Sequence, residues 1–325
     1  MRWGFLGAAR IARSALAPAV QAAGHRIDAV AARDGGRARQ FAADFGIPRA
    51  YEGYDALIAD PALNAIYIAL PNDAHLPWTL KALMAGKHVL CEKPLALNAA
   101  EVAQIRQAEH ASGCLVMEAY CHIHHPQAAR ARAIVASGAL GRLIAMQGSH
   151  ANPLCRDSDF RWSRAMGGGA LLDLGCYILS AMRLFSGLEP VRVSAAASMR
   201  GDVDATLWAS MEFGPTNLGP GVAAQLLCSF DAARSQRLEL LGTDGRLALD
   251  WPCSARDRVA TLELNGVAEH FAPTNPYIAM VSHFADAVAG RASMLFPVAA
   301  SLAQARAHDA LLAAVASGGW VTVAR

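Results

Sequence analysis

The chain has 325 residues, 54% of them hydrophobic and 17% charged, with 29 Lys and Arg against 27 Asp and Glu and a formal net charge of +2. That length exceeds one ordinary domain and predicts two, each with its own core. Charged side chains interrupt every apolar stretch before it reaches bilayer length, and no basic block offers a footprint for nucleic acid or anionic lipid, so the expected partners are small molecules, with no nucleic acid and no membrane among them. The opening run Met1-Arg2-Trp3-Gly4-Phe5-Leu6-Gly7 is too short before Arg10 for a signal peptide and reads as a core strand, which gives a cytoplasmic location as the expectation. Seven scattered cysteines without a C-x-x-C pair argue against a disulfide framework or a zinc ribbon.

Strand and helix signals alternate through the first part of the chain. Strands are expected at Trp3 to Leu6, Ile27 to Ala32, Asn64 to Leu70, His88 to Cys91 and Cys114 to Ala119. Helices are expected from Ile11 to Ala23, Gly36 to Phe45, through Met84, and from Asn98 to Ser112, most of them closed by a glycine. The pattern is that of a doubly wound parallel sheet, a nucleotide-binding Rossmann domain over residues 1–121. Beyond His125-Pro126 the pattern changes. A helix to Ser137, a strand near Leu143 to Gly148 and a helix over Ala170 to Phe185 precede alternating runs at Val191 to Met199, Ala205 to Phe213, Val222 to Phe230, Arg237 to Leu241, Leu247 to Trp251 and Ala260 to Leu264. Helices at Tyr277 to Ala289 and Ser301 to Ser317 close the chain. Residues 122–325 thus read as an α+β domain with a largely antiparallel open sheet, for substrate binding and oligomerisation.

Directly after the first strand stands Gly7-Ala8-Ala9-Arg10-Ile11-Ala12, a form of G-x-G-x-x-G/A with Ala9 as second and Ala12 as third position. The glycine allows the tight turn and the following helix offers amide groups to a pyrophosphate; Ala9 adds a methyl that would displace the loop slightly. At the end of the second strand, where an acid would bind the ribose of NAD, the chain has Ala32-Arg33-Asp34. Arg33, helped by Arg37, points to NADP, with NAD use left open, because a guanidinium meets phosphate oxygens in a fork. The alternative gives the acid's role to Asp34 and leaves Arg33 solvated. The strand end Leu70-Pro71-Asn72-Asp73-Ala74-His75 offers Asn72 and His75 to the nicotinamide half, unless Asn72 or Asp73 caps the next helix. After the short apolar strand His88 to Cys91, the run Cys91-Glu92-Lys93-Pro94 puts a lysine beyond a sheet edge where ligands bind, held out of a helix by the proline.

In the second domain, Gly167-Gly168-Gly169 reads as a glycine hinge before a helix that carries Asp173 and Tyr177 at i and i+4, on one face, with Gly175 leaving room beside them. An acid, a phenol and Lys93 make a hydride-transfer site if the sheet edges meet. A free tyrosine titrates at about 10, and a nearby ammonium would stabilise its phenolate as a base. The helix's own polar seam is the plain alternative. His122, His124 and His125 near Glu118 lack a matching carboxylate or cysteine cluster and are not expected to bind metal.

These residues resemble the glucose-fructose oxidoreductase / inositol dehydrogenase / MocA family of nicotinamide-dependent oxidoreductases. The likeness runs over nearly the whole length, through the glycine-rich start, the strand end Leu70-Pro71-Asn72 with His75, the block Gly86 to Pro94 and the Gly-Gly-Gly-led Asp173-x-Gly175-x-Tyr177 helix, and is most specific in Glu92-Lys93-Pro94. Many members have histidine where this chain has Tyr177, whose presence is similar to the branch of dihydrodiol dehydrogenases, aldose dehydrogenases such as xylose dehydrogenase, and glucose-fructose oxidoreductase itself. The resemblance implies that Lys93 is catalytic, that Asp173 orients the substrate hydroxyl and that Tyr177 passes the proton. It also implies cofactor contacts from Leu70, Pro71, Glu92, Arg161, Trp162 and Tyr277, and homodimers or homotetramers joined through the open face of the second sheet. The expected activity is NADP-dependent hydride transfer on a carbohydrate or cyclic polyol, with a dihydrodiol dehydrogenase or keto-sugar reductase as the nearest rival and a non-catalytic, cofactor-bound sensor as the distant one. Arg156, Asp157, Arg161 and His270 are candidates to line the substrate pocket.

Overall fold

The structure, a computed structural model, describes residues 1–214, 221–254 and 256–325. They form two compact units, Met1–Cys121 with Asn275–Leu302, and His122–Thr274 with Ala303–Arg325.

The first unit holds β1 (Arg2–Leu6), β2 (Arg26–Ala32), β3 (Arg49–Glu52), β4 (Ala65–Ile68), β5 (His88–Cys91) and β6 (Val116–Glu118) in the order β3-β2-β1-β4-β5-β6. All five pairings are parallel. Strands covered on both faces read as continuous apolar runs, and Trp3, Phe5, Leu6, Ile66, Tyr67, Val89 and Leu90 are all fully buried. The edge strand β3 alternates between half-buried and exposed residues, so no apolar run marks Arg-Ala-Tyr-Glu in the sequence. The order reverses between β1 and β4, which makes their carboxyl ends the topological switch point where α/β sheets bind ligands. The helix expected after β1 opens with a wide π turn over Ala12–Leu16 before regular α structure at Ala17–Ala22. Pro18 has no N–H to give to the preceding turn, and the ladder widens there.

The helix Pro276–Val288 places Tyr277, Met280, Val281 and Phe284, spaced i, i+3, i+4 and i+7, in the same buried cluster as Trp3. The rings of Phe284 and Trp3 lie 5.4 Å apart. This apolar stripe returns Asn275–Leu302 to the nucleotide-binding unit, so the chain does not divide into two continuous halves.

The second unit contains β7 (Leu143–Ala151), β8 (Pro190–Arg200), β9 (Val203–Phe213), β10 (Val222–Ser229), β11 (Ser235–Gly242), β12 (Arg246–Asp250), β13 (Ala260–Leu264), β14 (Val267–Phe271) and β15 (Val321–Thr322). They form one sheet in the order β14-β13-β12-β11-β7-β10-β9-β8-β15, antiparallel except for the β7–β10 pair. Alternation over Ala205–Phe213 of β9 and Val222–Cys228 of β10 buries one face under the helix Cys176–Ser186 and leaves the other open, with Trp208 and Leu227 exposed and paired across the strands. The segment Arg164–Ser186 is apolar and long enough to cross a bilayer, but 72% of its apolar window is buried inside this fold, as a core helix would be.

Candidate active site

In the first unit the site begins at Gly7, whose φ of +102° suits glycine and whose added Cβ would lie 2.5 Å from the Ala69 carbonyl oxygen. Its N–H donates to the Ala31 carbonyl at 2.8 Å, drawing the loop over the carboxyl ends of β2 and β4. Ala8, Ala9 and Ile11 are half-buried and Arg10 is exposed. The Arg37 guanidinium donates to the Ala8 carbonyl at 3.3 Å and so lies against the loop. Arg33 is exposed at the end of β2, while the Asp34 carboxylate accepts the Arg37 N–H at 2.7 Å as the cap of the helix Gly35–Phe45. A turn with no room for a side chain, a helix start and an exposed guanidinium fit a dinucleotide phosphate chain.

The Lys93 loop is braced on three sides. The fully buried Tyr67 hydroxyl donates to Glu92 Oε1 at 2.6 Å, and burial together with that carboxylate pushes the phenol pKa well up, so it stays a donor. His75 Nδ1 lies 2.7 Å from the Pro94 carbonyl and Nε2 3.0 Å from the Leu70 carbonyl. The Leu95 N–H donates to Glu118 Oε1 at 2.9 Å. Lys93 itself is half-buried, and its bond to Pro94 is cis. His75, expected to offer a polar group to the cofactor, is instead fully buried between two backbone carbonyls and ties the β4 and β5 loops together. Asn72 is buried in a short turn, Asn72–Ala74, and neither it nor Asp73 caps the helix His75–Met84. Tyr67 and Glu118 carry no motif; a buried acid ending an apolar strand is the only sequence signal for Glu118.

In the second unit, Asp159 caps the turn Phe160–Trp162 and binds the Arg161 guanidinium at 3.1 Å, while Arg161 Nε meets Asp173 Oδ2 at 2.9 Å. Trp162 donates from Nε1 to the Arg156 carbonyl at 3.0 Å and carries the Arg200 guanidinium 4.1 Å above its ring. Asp157 pairs with Arg200, and His270 lies on β14, the sheet's far edge. Tyr277 belongs to the first unit, where it is 9% exposed.

Three expectations change here. The glycine run is not a hinge: a Cβ on Gly168 would strike the Arg161 carbonyl, and one on Gly169, at φ +112°, would strike the Asp204 carboxylate. The glycines let Asp204 reach the helix start, where Oδ2 accepts the Leu171 N–H at 2.7 Å. Burial raises the Asp204 pKa to about 6, with the helix N–H groups opposing the shift. Nor is the Asp173–Tyr177 spacing a regular α-helical i, i+4 step. Asp173 sits in a π turn, Leu171–Gly175, and the α-helix begins at Cys176, so the wider turn alters the phase between the two side chains. The space at Gly175 is taken by Cys228, whose Sγ would be 3.0 Å from an added Cβ.

The half-buried Tyr177 ring packs edge-on to His122, at a centroid distance of 5.1 Å, and to His150, at 5.6 Å. Burial, followed by the neighbouring His124 and His150, lowers the His122 pKa to about 3, so that ring is uncharged at neutral pH. Among the described residues no group of three His, Cys, Asp or Glu side chains is arranged to hold a metal ion.

Within each unit the expected residues therefore gather: the Gly7 loop, Arg37, Asn72, Glu92 and Lys93 at one sheet edge, and Arg161, Asp173 and Tyr177 around one helix start. Residues 1–120 match the model of an oxidoreductase family with an NAD-binding Rossmann fold, and residues 128–248 match the GFO/IDH/MocA C-terminal domain. The chain is 38% identical over 297 residues to D-xylose 1-dehydrogenase (NADP(+)) 2 of Haloferax volcanii, covering 89% of each chain. It is 34% identical over 260 residues to trans-1,2-dihydrobenzene-1,2-diol dehydrogenase of Bos taurus, covering 78% of this chain and 75% of the other. The fold superposes with a TM-score of 0.85 on a 3-ketoreductase from Actinomadura kijaniata solved with NADP and TDP-benzene, 30% identical and covering 97% of both chains. With both parts of the chain matched and such relatives spanning most of its length, the protein belongs to the Gfo/Idh/MocA family of oxidoreductases.

Proposed function

We propose that this oxidoreductase uses NADP to exchange hydride with a carbohydrate or cyclic polyol, in the manner of an aldose 1-dehydrogenase, and that Lys93, Asp173 and Tyr177 act on one substrate hydroxyl. The observation that carries this reading is the bracing of the Lys93 loop by Tyr67, His75 and Glu118, which fixes the backbone on both sides of Lys93 beyond the carboxyl end of β5 in a dinucleotide fold. Hydride exchange is the chemistry a bound nicotinamide supplies. The Tyr177 phenolate removes the hydroxyl proton, the Lys93 ammonium favours that phenolate, and Asp173, held by Arg161, orients the hydroxyl. In reduction the same groups return the proton to a carbonyl. Gly7, Ala8, Ala9, Arg10 and Ile11 hold the pyrophosphate. Arg33 and Arg37 take the extra phosphate of NADP, a role supported by the use of Asp34 as a cap. Leu70, Pro71, Asn72 and Glu92 serve the nicotinamide half, with His75 acting through the loops it joins. Arg161, Trp162 and Tyr277 complete the cofactor set.

A second reading, keto-sugar reduction, draws support from the 3-ketoreductase likeness and uses the same residues with another pocket. The exposed Trp208 and Leu227 on the open sheet face support assembly into a dimer or tetramer there. A cytoplasmic location completes the proposal.

The test is a spectrophotometric screen of NADP and NAD against aldoses, inositols, dihydrodiols and keto-sugars. Turnover with at least one class, lost by about 10²-fold or more in Lys93→Met while NADP still binds, is the expected result. No turnover with any class despite tight NADP binding would instead make the protein a sensor.

A further inference from the structure

His150 lies on β7, beside Gln236 of β11 in the sheet register, and both side chains are 5% exposed. The Cys253 N–H donates to Gln236 Oε1 at 3.1 Å, which fixes the orientation of the amide. Gln236 Nε2 is then the donor, to Ser254 Oγ at 2.6 Å and to His150 Nε2 at 3.0 Å. An imidazole that accepts at Nε2 carries its proton on Nδ1, and His150 Nδ1 lies 3.2 Å from the Leu174 carbonyl. Leu174 belongs to the π turn that holds Asp173, three residues before Tyr177, and the same imidazole packs edge-on to the Tyr177 ring. On the ring's other neighbour, Ser180 Oγ donates to the Tyr177 carbonyl at 2.9 Å and so accepts from His122 Nε2 at 3.3 Å.

We infer that His150, its tautomer set by Gln236, is a positioning residue: its Nδ1–H holds the turn that presents Asp173, and its ring sets the orientation of the Tyr177 phenol. This inference rests on the reading of Tyr177 as the proton-transferring group. A wide turn is an irregular element that a helix alone does not fix, and here a donor from a sheet strand reaches its carbonyl. Placement errors of about 1 Å cost about 10²-fold in rate, which sets the scale of the effect.

The test uses the full chain with ¹⁵N-labelled histidine and ¹³Cζ-labelled tyrosine. The inference expects an Nδ1–H tautomer for His150 in the wild type and a mixture of tautomers in Gln236→Leu, where the amide donor is gone. In His150→Phe, which keeps a ring edge but loses the donor, kcat should fall by about 10-fold or more with KM and NADP affinity little changed. His150→Asn, which restores a donor near the Nδ1 position, should recover part of that loss. The Tyr177 ¹³Cζ resonance should be single and sharp in the wild type and broadened in His150→Phe. An Nε2–H tautomer in the wild type, or a His150→Phe enzyme with kcat and tyrosine resonance unchanged, would overturn the inference. If the wild type turns over no substrate, the tyrosine and histidine spectra still report on positioning, and only the reading of Tyr177 as a base fails.

Discussion

Arg33 and Asp34 are adjacent in sequence and are used for different ends. The carboxylate is spent on the N–H of Arg37 at a helix start, while the guanidinium stays exposed at the sheet edge. Charge-assisted bonds from a guanidinium to a phosphate are worth about 1.5–3 kcal/mol, or about 10- to 150-fold in affinity. Arg33→Ala should weaken NADP binding by that factor, measured by fluorescence titration, and change NAD binding by less than about threefold. Equal losses for the two would remove Arg33 from the phosphate site. Residues such as Gly7, Arg33 and Lys93 are legible in the sequence because local geometry places them: each lies within two residues of the end of a strand. Tyr67, Glu118 and His150 are not, because each acts on a loop or turn more than twenty residues away and only the folded sheet brings them there.

At the scale of elements, apolar runs mark the buried strands well, and edge strands poorly. β3 is half-exposed, and β15 has two residues. β14 does have a signal, since Asn265-Gly266, both at positive φ, form the tight connection of a hairpin between Leu264 and Val267. The helix that carries Asp173 is more difficult, because a π turn breaks the periodicity on which face assignments rest, and Asp204, which caps it, comes from a strand more than thirty residues later. That cap has a pH signature. The folded-state pKa of Asp204 is raised from 3.8 to about 6, so between these values the folded chain binds more protons than the unfolded chain. Its contribution is therefore most favourable below about pH 4 and is lost as pH rises to about 6, a change on the order of 3 kcal/mol from the size of the shift. Urea unfolding of the wild type and Asp204→Asn across this range should show their stability difference moving against the wild type by about that amount as pH rises. A difference that stays constant with pH would mean the carboxyl titrates at its ordinary value.

At the scale of the molecule, the two kinds of sheet follow from two kinds of pattern: continuous apolar runs separated by helices in one unit, alternating strands with short turns in the other. The return of Asn275–Leu302 to the first unit is written only in the apolar stripe of one helix, which fits any core until the fold shows which one it joins. Lys93 belongs to the first unit, and Asp173 and Tyr177 to the second. The proposed chemistry requires them to act on one substrate hydroxyl. A double-mutant cycle on the hydride-transfer rate with NADP and the best substrate, using Lys93→Met, Tyr177→Phe and the pair together, tests that requirement directly. Groups acting as one unit give a double variant little slower than the worse single one, a strong departure from additivity. Losses that multiply, as for two independent residues, would contradict the account.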